Sequence, residues 1–395
     1  MERKISVVII SISPIARDPR VLRQIDALEG IADLTVLGLT PLPDEVRGIS
    51  LMRGSSLPSV ARLFLKSLIG ALLLCRCFRI AEVIYCSVLY SAELKRFRLA
   101  PDALIVNDID GMLIADRFLH QIDQPALPIY LDLHEYAPSE GSRLLDRLVM
   151  NPFKRYLCER YLSRGRVIST VSQGIAVAYE KLTGRSVHVV PNVPPYEDLA
   201  PQPIKNNKVR LVYHGNIAPD RDLHGLIKAL KLLGQGYELH FYLVGTDRSV
   251  KAIKDAAQGL PVVFHDPVPI KNITRELNQY DVGVFLLRAE SFNSTHAMPN
   301  KLFEFVQARL AIVVSPNPEI QAFVVGNKIG KVCRECSGES LAQTICEMPA
   351  EAIMDCKWNS HRLSKEYCAE KYHEFIRTLT LRAIKETDSA STAGR

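Results

Sequence analysis

The sequence predicts an α/β fold made of two Rossmann-like domains, each a parallel sheet covered by helices, facing each other across a cleft. Three observations predict it. The chain has 395 residues, which is too long for one ordinary core. Strand-like and helix-like segments alternate almost throughout, as parallel sheets with helical crossovers require. A polar, proline-bearing stretch after Pro191 interrupts the alternation and is typical of an interdomain linker.

The first half opens on a β-branched run at 5–12, which predicts a buried strand. Asp18 and Pro19 then provide a helix cap followed by proline at the first helical position, and Gly30 ends that helix. The further strands predicted in this half are 34–39, 83–86, 103–106, 128–133, 167–170 and 187–190.

The second half repeats the strand–helix pattern after residue 208, with strands predicted at 209–214, 238–244, 262–264, 282–287 and 311–315. The domains expected are an N-terminal domain over 1–195, a linker over 196–207, a C-terminal domain over 208–358, a helix over 359–386 that packs back on the N-terminal domain, and a disordered tail over 387–395. In such sheets ligands bind beyond the carboxyl ends of the strands.

Composition excludes several classes of protein. The net charge is +6, which is mild for this length and gives no indication of a nucleic-acid partner. Nine scattered cysteines without a preceding secretory signal favour reduced thiols and a cytoplasmic protein. Cys333-x-x-Cys336 with Cys346 lacks a second well-spaced pair, so no metal site is expected. The longest apolar stretch, 63–75, is too short to span a membrane.

Two basic segments lie in the first half. Residues 47–98 hold nine basic residues against Glu82 and Glu93, and residues 143–166 hold seven against Asp146 and Glu159. Beside apolar helix residues, such charge fits anionic lipid or an anionic acceptor. Solvated helix faces explain it equally well, and the stretch 63–75 fits either an interfacial helix or a buried one.

A turn after the strand 209–214 is the first candidate binding site. Gly215 allows close backbone approach, and Asp220 or Asp222 can cap the next helix. Free amides at that helix start, with Arg221 beside them, form an anion site. The alternative is an ordinary strand–helix turn with a surface arginine.

A second anion-binding geometry follows the strand 282–287. Pro299 marks a helix start, which places backbone amides, Asn300 and Lys301 together. Glu304 lies one turn into the helix, where a carboxylate can accept hydrogen bonds from a sugar diol or merely complement the helix dipole. Two such sites in one domain suit a diphosphate. The chain has neither G-x-G-x-x-G nor a P-loop, which disfavours dehydrogenases and P-loop enzymes.

With these residues the C-terminal half resembles family 4 of the retaining GT-B glycosyltransferases. Gly215 matches the family's turn glycine, Asn216 replaces the arginine, and Arg221 falls where a lysine is expected. Glu304 matches the second glutamate of the family's Glu-x7-Glu signature, which bonds the nucleotide ribose, and His296 takes the first position, which faces the transferred sugar. The string 297–304 resembles a variant from subgroups that build bacterial surface polysaccharides. The resemblance implies a donor site made of Gly215, Asn216, Arg221, Gly245, Val268, His296, Met298, Pro299, Asn300, Lys301, Leu302 and Glu304.

The N-terminal half resembles the same subgroup at 18–23, 107–110, 131–135, 171–174 and 191–195, so that the resemblance covers about 4–330. It makes this half the acceptor side. His134 ends a strand and is expected to contact sugar or acceptor, or else to cap the next helix. The acceptor-side candidates are Arg17, Arg20, Asp108, Asp110 and Glu135. One of the close carboxylates can serve as acceptor base because neighbouring charges raise its pKa.

The function expected is transfer of a sugar, with retention, from a nucleotide-diphosphate sugar to a glycan or lipid-linked acceptor in cell-surface polysaccharide synthesis. His134, Arg221 and Lys301 are the expected catalytic residues. The resemblance implies no metal and no cofactor beyond the nucleotide-sugar co-substrate. The protein is expected in the cytoplasm, at the inner face of the membrane. A nucleotide-sugar epimerase of the same fold and an inactive binding protein remain the alternatives.

Overall fold

A computed structural model describes residues 4–51, 59–141 and 143–392. The chain forms two compact units. The first contains residues 1–190 together with residues 372–395, and the second contains residues 191–371.

The first unit is built on a seven-stranded sheet. Its strands are β1 (Ile5–Pro14), β2 (Ala32–Leu39), β3 (Arg47–Ser50), β4 (Ala103–Asn107), β5 (Ile129–Leu133), β6 (Val167–Thr170) and β7 (His188–Val189). Their order is β3-β2-β1-β4-β5-β6-β7, and every pair is parallel. The helices are α1 (Pro19–Leu28), α2 (Ser59–Leu74), α3 (Phe78–Leu89), α4 (Ala92–Arg96), α5 (Asp108–Gln121), α6 (Asn151–Tyr161) and α7 (Gln173–Thr183).

The second unit contains a six-stranded parallel sheet of order β10-β9-β8-β11-β12-β13. Its strands are β8 (Val209–Asn216), β9 (Tyr237–Val244), β10 (Val262–His265), β11 (Val282–Phe285), β12 (Ala311–Val314) and β13 (Gly330–Val332). Its helices are α8 (Leu223–Leu233), α9 (Asp247–Ala256), α10 (Ile270–Leu277), α11 (Phe292–Thr295), α12 (Asn300–Gln307), α13 (Pro318–Gly326), α14 (Gly338–Cys346) and α15 (Ala350–Leu363). The last helix, α16 (Ala369–Thr392), begins in the second unit and lies mostly in the first.

Both sheets have a topological switch point, where the strand order reverses direction. It lies between β1 and β4 in the first unit and between β8 and β11 in the second. Two Rossmann-like parallel sheets covered by helices are the fold that the alternating pattern predicts, and this prediction is confirmed. A ligand site in such a sheet is expected at the carboxyl ends of these central strands.

The first helix illustrates how the sequence sets local structure. Asp18 caps α1 by accepting hydrogen bonds from the amides of Arg20 and Val21, at 3.1 and 3.4 Å, and Pro19 occupies the first helical position. This is the predicted cap. The helix then packs Val21 and Ile25 into the core beside β1.

The last helix completes the core of the first unit. Ile376, Leu379 and Ala383 of α16 belong to the same buried cluster as residues of α1, β1 and β2. The Arg377 side chain donates to the carbonyl of Ala27. The sequence predicts one helix over 359–386, whereas two occur, because α15 stops at Leu363 and α16 begins at Ala369. The tail predicted to be disordered from 387 is helical to Thr392.

The predicted strand 83–86 is wrong. These residues lie inside α3. Their β-branched and aromatic content favours a strand, but Ala81, Glu82, Cys86 and Leu89 are buried at helical spacing. The Glu82 carboxylate accepts hydrogen bonds from two tyrosines of α6. Tertiary contacts therefore outweigh local propensity here.

The predicted linker 196–207 belongs to the second unit. A fully buried arginine holds its first residues there: Arg309 donates to the carbonyls of Glu197 and Leu199. Asn278 donates to the carbonyl of Ala200 at 3.1 Å. Backbone carbonyls that a free linker would expose are thus bonded within the second unit.

No helix within the described part of the chain is long and apolar enough to cross a bilayer. The apolar stretch 63–75 forms most of α2.

Candidate functional sites

The carboxyl end of β8, at the switch point of the second sheet, meets the start of α12. Gly215 has a φ of +110°, a conformation that side-chain-bearing residues rarely adopt. A Cβ at this position would lie 3.1 Å from the Lys301 Nζ. The glycine thus leaves room for the lysine to approach the end of the strand.

Arg221 reaches the same place from the turn before α8. It forms an isolated antiparallel bridge with Leu287, just beyond β11. Its guanidinium lies 5.1 Å from the centroid of the Phe285 ring and donates to Asp220 Oδ2 at 2.8 Å. Of the two cap candidates, Asp222 caps α8 by accepting from the amide of Gly225 at 3.1 Å.

Lys301 is a half-buried residue whose ammonium has no carboxylate partner among the residues that the structure describes. Its Nζ lies 4.6 Å from the ring centroids of both Tyr213 and Phe285, and no described carboxylate comes within ion-pair distance of it. Burial, and then the positive charge of Arg221, lower the pKa of Lys301 to about 7 against the opposing effect of Glu304. Two cations therefore share the Phe285 ring.

The N-terminus of α12 adds backbone donors to these cations. Pro299 occupies the cap position and no side chain caps the helix. The first amides of a helix have no acceptor within the helix, so they remain available to an anion. Asn300 and Lys301 are the first two helical residues.

Glu304, one turn into α12, faces the end of β8. Its Oε2 lies 3.2 Å from the Nε2 of His214, although the two are not aligned as a hydrogen bond. Burial, and then the charge of Lys301, lower the pKa of His214 well below its ordinary value, so that the imidazole is neutral. Sequence reasoning missed His214; its position directly before Gly215 was the available signal.

The other predicted donor residues have different surroundings. The Nδ1 of His296 lies 3.2 Å from the Oε1 of Glu319, the second residue of α13. Leu302 is buried, so only its backbone can face a ligand. The remaining candidates lie at strand ends and helix starts: Asn216 ends β8, Gly245 follows β9, Val268 lies between β10 and α10, and Met298 precedes the cap of α12.

In the first unit Arg20 and Asp108 form an ion pair beside the switch point. Asp108, the first residue of α5, has a φ of +60°. Arg20 donates to both of its carboxylate oxygens, at 2.9 and 3.4 Å, and the amide of His134 donates to Oδ1 at 2.8 Å. Burial favours the neutral acid, but Arg20 outweighs it and holds the pKa of Asp108 far below its ordinary value. Asp108 is therefore not the carboxylate with a raised pKa that is expected to act as the acceptor base.

A buried polar network lies at the carboxyl ends of β4, β5 and β6. Gln24 donates to Asp132 Oδ2 at 2.8 Å and to Asn107 Oδ1 at 3.0 Å, and Asn107 donates back to Gln24 at 2.9 Å. Ser169 donates to Asp132 Oδ1 at 2.6 Å. Asp132 is thus occupied by structural hydrogen bonds, which its strand position alone did not reveal.

His134 and Glu135 follow β5, and their pKa values are shifted in opposite directions from the ordinary ones. Burial, and then Arg20, lower the pKa of His134, which is neutral at neutral pH. Glu135 is an exposed residue, and partial desolvation of its carboxyl, followed by the carboxylates of Glu140 and Asp108, raises its pKa to about 7. Glu135 is therefore the carboxylate of this group that can exchange a proton near neutrality.

Lys154 neutralises the remaining acidic candidate. The buried ammonium pairs with Asp110 and, at 2.9 Å, with Glu140. Burial raises the pKa of Asp110 although Lys154 opposes the shift. Arg17 is exposed and makes no ion pair with the residues that the structure describes.

Within the described ranges no three His, Cys, Asp or Glu side chains are placed to hold a metal ion. The nine cysteines are free thiols. Burial raises the pKa of the Cys333 and Cys336 thiols to about 11.

Two Rossmann-like parallel-sheet units covered by helices are the architecture of the GT-B fold. Three solved structures share the fold. Sucrose-phosphate synthase from Thermosynechococcus elongatus has a TM-score of 0.68 at 10% identity, over 99% of this chain and 100% of that one. A UDP-forming α,α-trehalose-phosphate synthase from Burkholderia vietnamiensis has a TM-score of 0.61 at 14% identity, over 96% and 99%. S. aureus TarM has a TM-score of 0.53 at 13% identity, over 72% of this chain and 56% of that one.

Residues 208–350, most of the second unit, match the family described as glycosyl transferases group 1. This match covers Gly215, Arg221, Lys301 and Glu304, which the structure brings together. No curated protein matches the chain in sequence.

Proposed function

We propose that the protein is a glycosyltransferase that uses a nucleotide-diphosphate sugar and places its diphosphate between Arg221 and Lys301. The observation that carries the proposal is the pair of cations on the Phe285 ring, beside an uncapped helix N-terminus. An ammonium that is partly withdrawn from water and has no carboxylate partner is costly to keep charged. A bound diphosphate supplies the missing negative charge.

The chemistry required of this site is stabilisation of a leaving group. When the glycosidic bond to the donor breaks, negative charge builds on the diphosphate. Fixed donors that already point at that position lower the barrier because they need not reorganise during the reaction. The Arg221 guanidinium offers a fork of donors to two phosphate oxygens, and the α12 amides offer backbone donors.

Glu304 and His214 are assigned to the nucleoside part of the donor. The Glu304 carboxylate lies next to the diphosphate cations, and it can accept two hydrogen bonds from a ribose diol. The neutral His214 lies beside that carboxylate, at 3.2 Å. His296, paired with Glu319, is assigned to the transferred sugar.

The acceptor is assigned to the first unit. Glu135 can take a proton from an acceptor hydroxyl near neutral pH, and His134, held by its amide on Asp108, provides a neutral hydrogen-bonding group. We propose a glycan or lipid-linked acceptor, retention of configuration, no metal, and a role in surface-polysaccharide synthesis at the cytoplasmic face of the membrane. These finer assignments rest on the family resemblance of the motifs.

The test begins with a thermal-shift panel of UDP, GDP, dTDP and CMP and their sugars, followed by turnover of the best donor with lipid-linked and oligosaccharide acceptors. Arg221→Ala should lower kcat by about 10²–10³ because one leaving-group donor is lost. The matched control is Arg362→Ala, which removes an exposed arginine of α15 and should leave turnover unchanged.

Near-normal transfer by Arg221→Ala with intact folding would remove the diphosphate assignment. Isomerisation of the donor without any acceptor would identify an epimerase instead. Nucleotide binding without turnover on the whole acceptor panel would identify a binding protein.

A further inference from the structure

Large apolar side chains are exposed together on one part of the first unit. Of the seventeen that are exposed among the described residues, nine lie within 64–83 and 144–150. They are Phe64, Leu68, Leu74, Ile80, Val83, Leu144, Leu145, Leu148 and Met150. Single exposed apolar residues are ordinary on a protein surface, whereas a contiguous group marks an interaction site.

Packing brings these segments together. Helix α2 packs against α3 and against the helical turn Asp146–Met150. Phe64 and Leu68 are one turn apart on α2, and Ile80 and Val83 are one turn apart on α3, so each helix presents its own stripe. We call this surface, formed by α2, α3 and residues 143–150, the apolar–basic face.

Among the described residues of this face arginines outnumber carboxylates, which are the half-buried Asp146 and the buried Glu82. Arg76, Arg79, Arg143 and Arg147 are exposed, and none of them makes an ion pair within the described part of the chain. The carboxylate of Glu82 does not offset them at the surface because it is buried against the tyrosines of α6. The face therefore joins exposed leucines with unpaired arginines.

We propose that the apolar–basic face docks on a bilayer that contains anionic phospholipid. Leucine and phenylalanine side chains enter the boundary between headgroups and acyl chains, and each adds to the binding in proportion to its buried apolar area. The arginines remain at the level of the phosphates, where each contributes through the negative surface potential. Charge complementarity favours this occupant over a second copy of the chain, whose identical face would bring arginines against arginines.

The docked surface is continuous with the acceptor side of the first unit. The turn Asp146–Met150 runs directly into α6, and one turn further Lys154 binds Asp110 and Glu140. Where the proposed function holds, a lipid-linked acceptor would reach this polar cluster without leaving the membrane surface. The docking itself does not depend on catalysis.

The test is co-sedimentation of the full chain with vesicles of phosphatidylcholine alone or with 30% phosphatidylglycerol. Binding is expected only with the anionic lipid and should weaken in 0.5 M salt. The double variant Arg76→Ala, Arg79→Ala should bind the anionic vesicles about 25-fold more weakly, because each arginine contributes a factor of about five. Leu144→Asp with Leu145→Asp should weaken it at least about tenfold.

Two substitutions of the same kind in the second unit serve as controls: Arg362→Ala, and Leu232→Asp at an exposed position of α8. Both should bind vesicles as the unmodified chain does. The thermal shift caused by nucleotide should be the same in all variants, which checks folding and separates docking from the donor site.

Equal vesicle binding by the face variants and the controls would overturn the proposal. Equal binding to neutral and anionic vesicles would also overturn it. So would sedimentation of the chain as a dimer that loses its dimer contact in the Leu144→Asp, Leu145→Asp variant and does not bind vesicles.

Discussion

The ammonium of Lys301 lies over the rings of Tyr213 and Phe285, and it is influenced by the charges of Arg221 and Glu304. Burial and Arg221 bring its pKa to about 7, so in the absence of ligand it titrates near physiological pH. A diphosphate bound against its ammonium favours the charged form and raises that pKa. Binding therefore takes up a proton at pH values between the free pKa, about 7, and the higher pKa of the complex.

This linkage fixes the sign of a pH dependence. A group whose pKa is raised by binding strengthens binding below its free pKa, and the gain is lost as the pH rises above it. The dissociation constant of a nucleotide-diphosphate sugar should be about tenfold higher at pH 8 than at pH 6. Calorimetric titration with the donor that gives the largest thermal shift measures it, and an intact donor sugar avoids the titration of a terminal phosphate.

Lys301→Arg is the matched variant, because arginine keeps the charge and does not titrate in this range. Its affinity should be independent of pH between 6 and 8. A wild-type chain whose affinity is flat across this range would show that Lys301 does not meet the diphosphate.

At the scale of elements, the site forms where the carboxyl end of one strand meets the starts of two helices. The last residue but one of β8 is Gly215, which has a positive φ, α8 begins after Arg221, and α12 begins uncapped with Lys301 in its first turn. The glycine is required for two separate reasons: its φ of +110°, and the distance of 3.1 Å from its hypothetical Cβ to Lys301 Nζ.

Gly215→Ala separates these reasons when it is compared with Gly234→Ala. Gly234 also has a positive φ, +76°, but nothing lies within 4 Å of a Cβ placed there. Both substitutions should lower the free energy of unfolding by about 1–2 kcal/mol through backbone strain, measured by urea unfolding. Only Gly215→Ala should also weaken nucleotide binding, because only there does the methyl displace an ammonium. Equal nucleotide affinity in the two variants would contradict the assigned contact.

The elements also show what the sequence can and cannot predict. Caps and apolar runs are local, which is why α1 and most strands were predictable. Strand β3 has the sequence Arg-Gly-Ile-Ser, and β13 begins at Gly330, where a Cβ would lie 1.7 Å from the carbonyl oxygen of Ile312. Glycine has a low strand propensity, so a strand that needs a glycine for close packing is not recognised from its composition. The sequence predicts neither β3 nor β13.

The residues of the candidate sites also divide into those that local sequence predicts and those that it does not. Arg221, Lys301 and Glu304 were predictable because helix starts after strands are visible along the chain. The pairing of Arg20 with Asp108, 88 residues apart, and of Lys154 with Asp110 depends on which strands are neighbours in the sheet. No local pattern contains that information, so the acidic group was expected to be less neutralised than it is.

At the scale of the whole molecule, the first unit is not a continuous stretch of chain. Residues 372–395 belong to it, and Leu379 of α16, 2% exposed, lies in its core. Leu379→Ala should lower the free energy of unfolding of the first unit by about 2–5 kcal/mol, the cost of a buried leucine and its cavity. Hydrogen exchange should then accelerate in β1 and α1, while β8 and β11 keep their protection.

Leu381, two residues further along α16 and 37% exposed, provides the control. Leu381→Ala should leave exchange in both units nearly unchanged. Faster exchange in β8 and β11 of the Leu379→Ala variant would contradict the assignment of α16 to the first unit.

The closing of the first unit by the last helix has a consequence for biosynthesis. Residues 191–371 are contiguous, whereas the first unit needs a segment that is translated after the whole second unit. The first unit is made earlier but lacks Ile376, Leu379 and Ala383 until residues 372–395 have been translated. The half of the protein that is synthesised first is therefore finished last, and its unfinished apolar surface is what a chaperone would meet on the nascent chain.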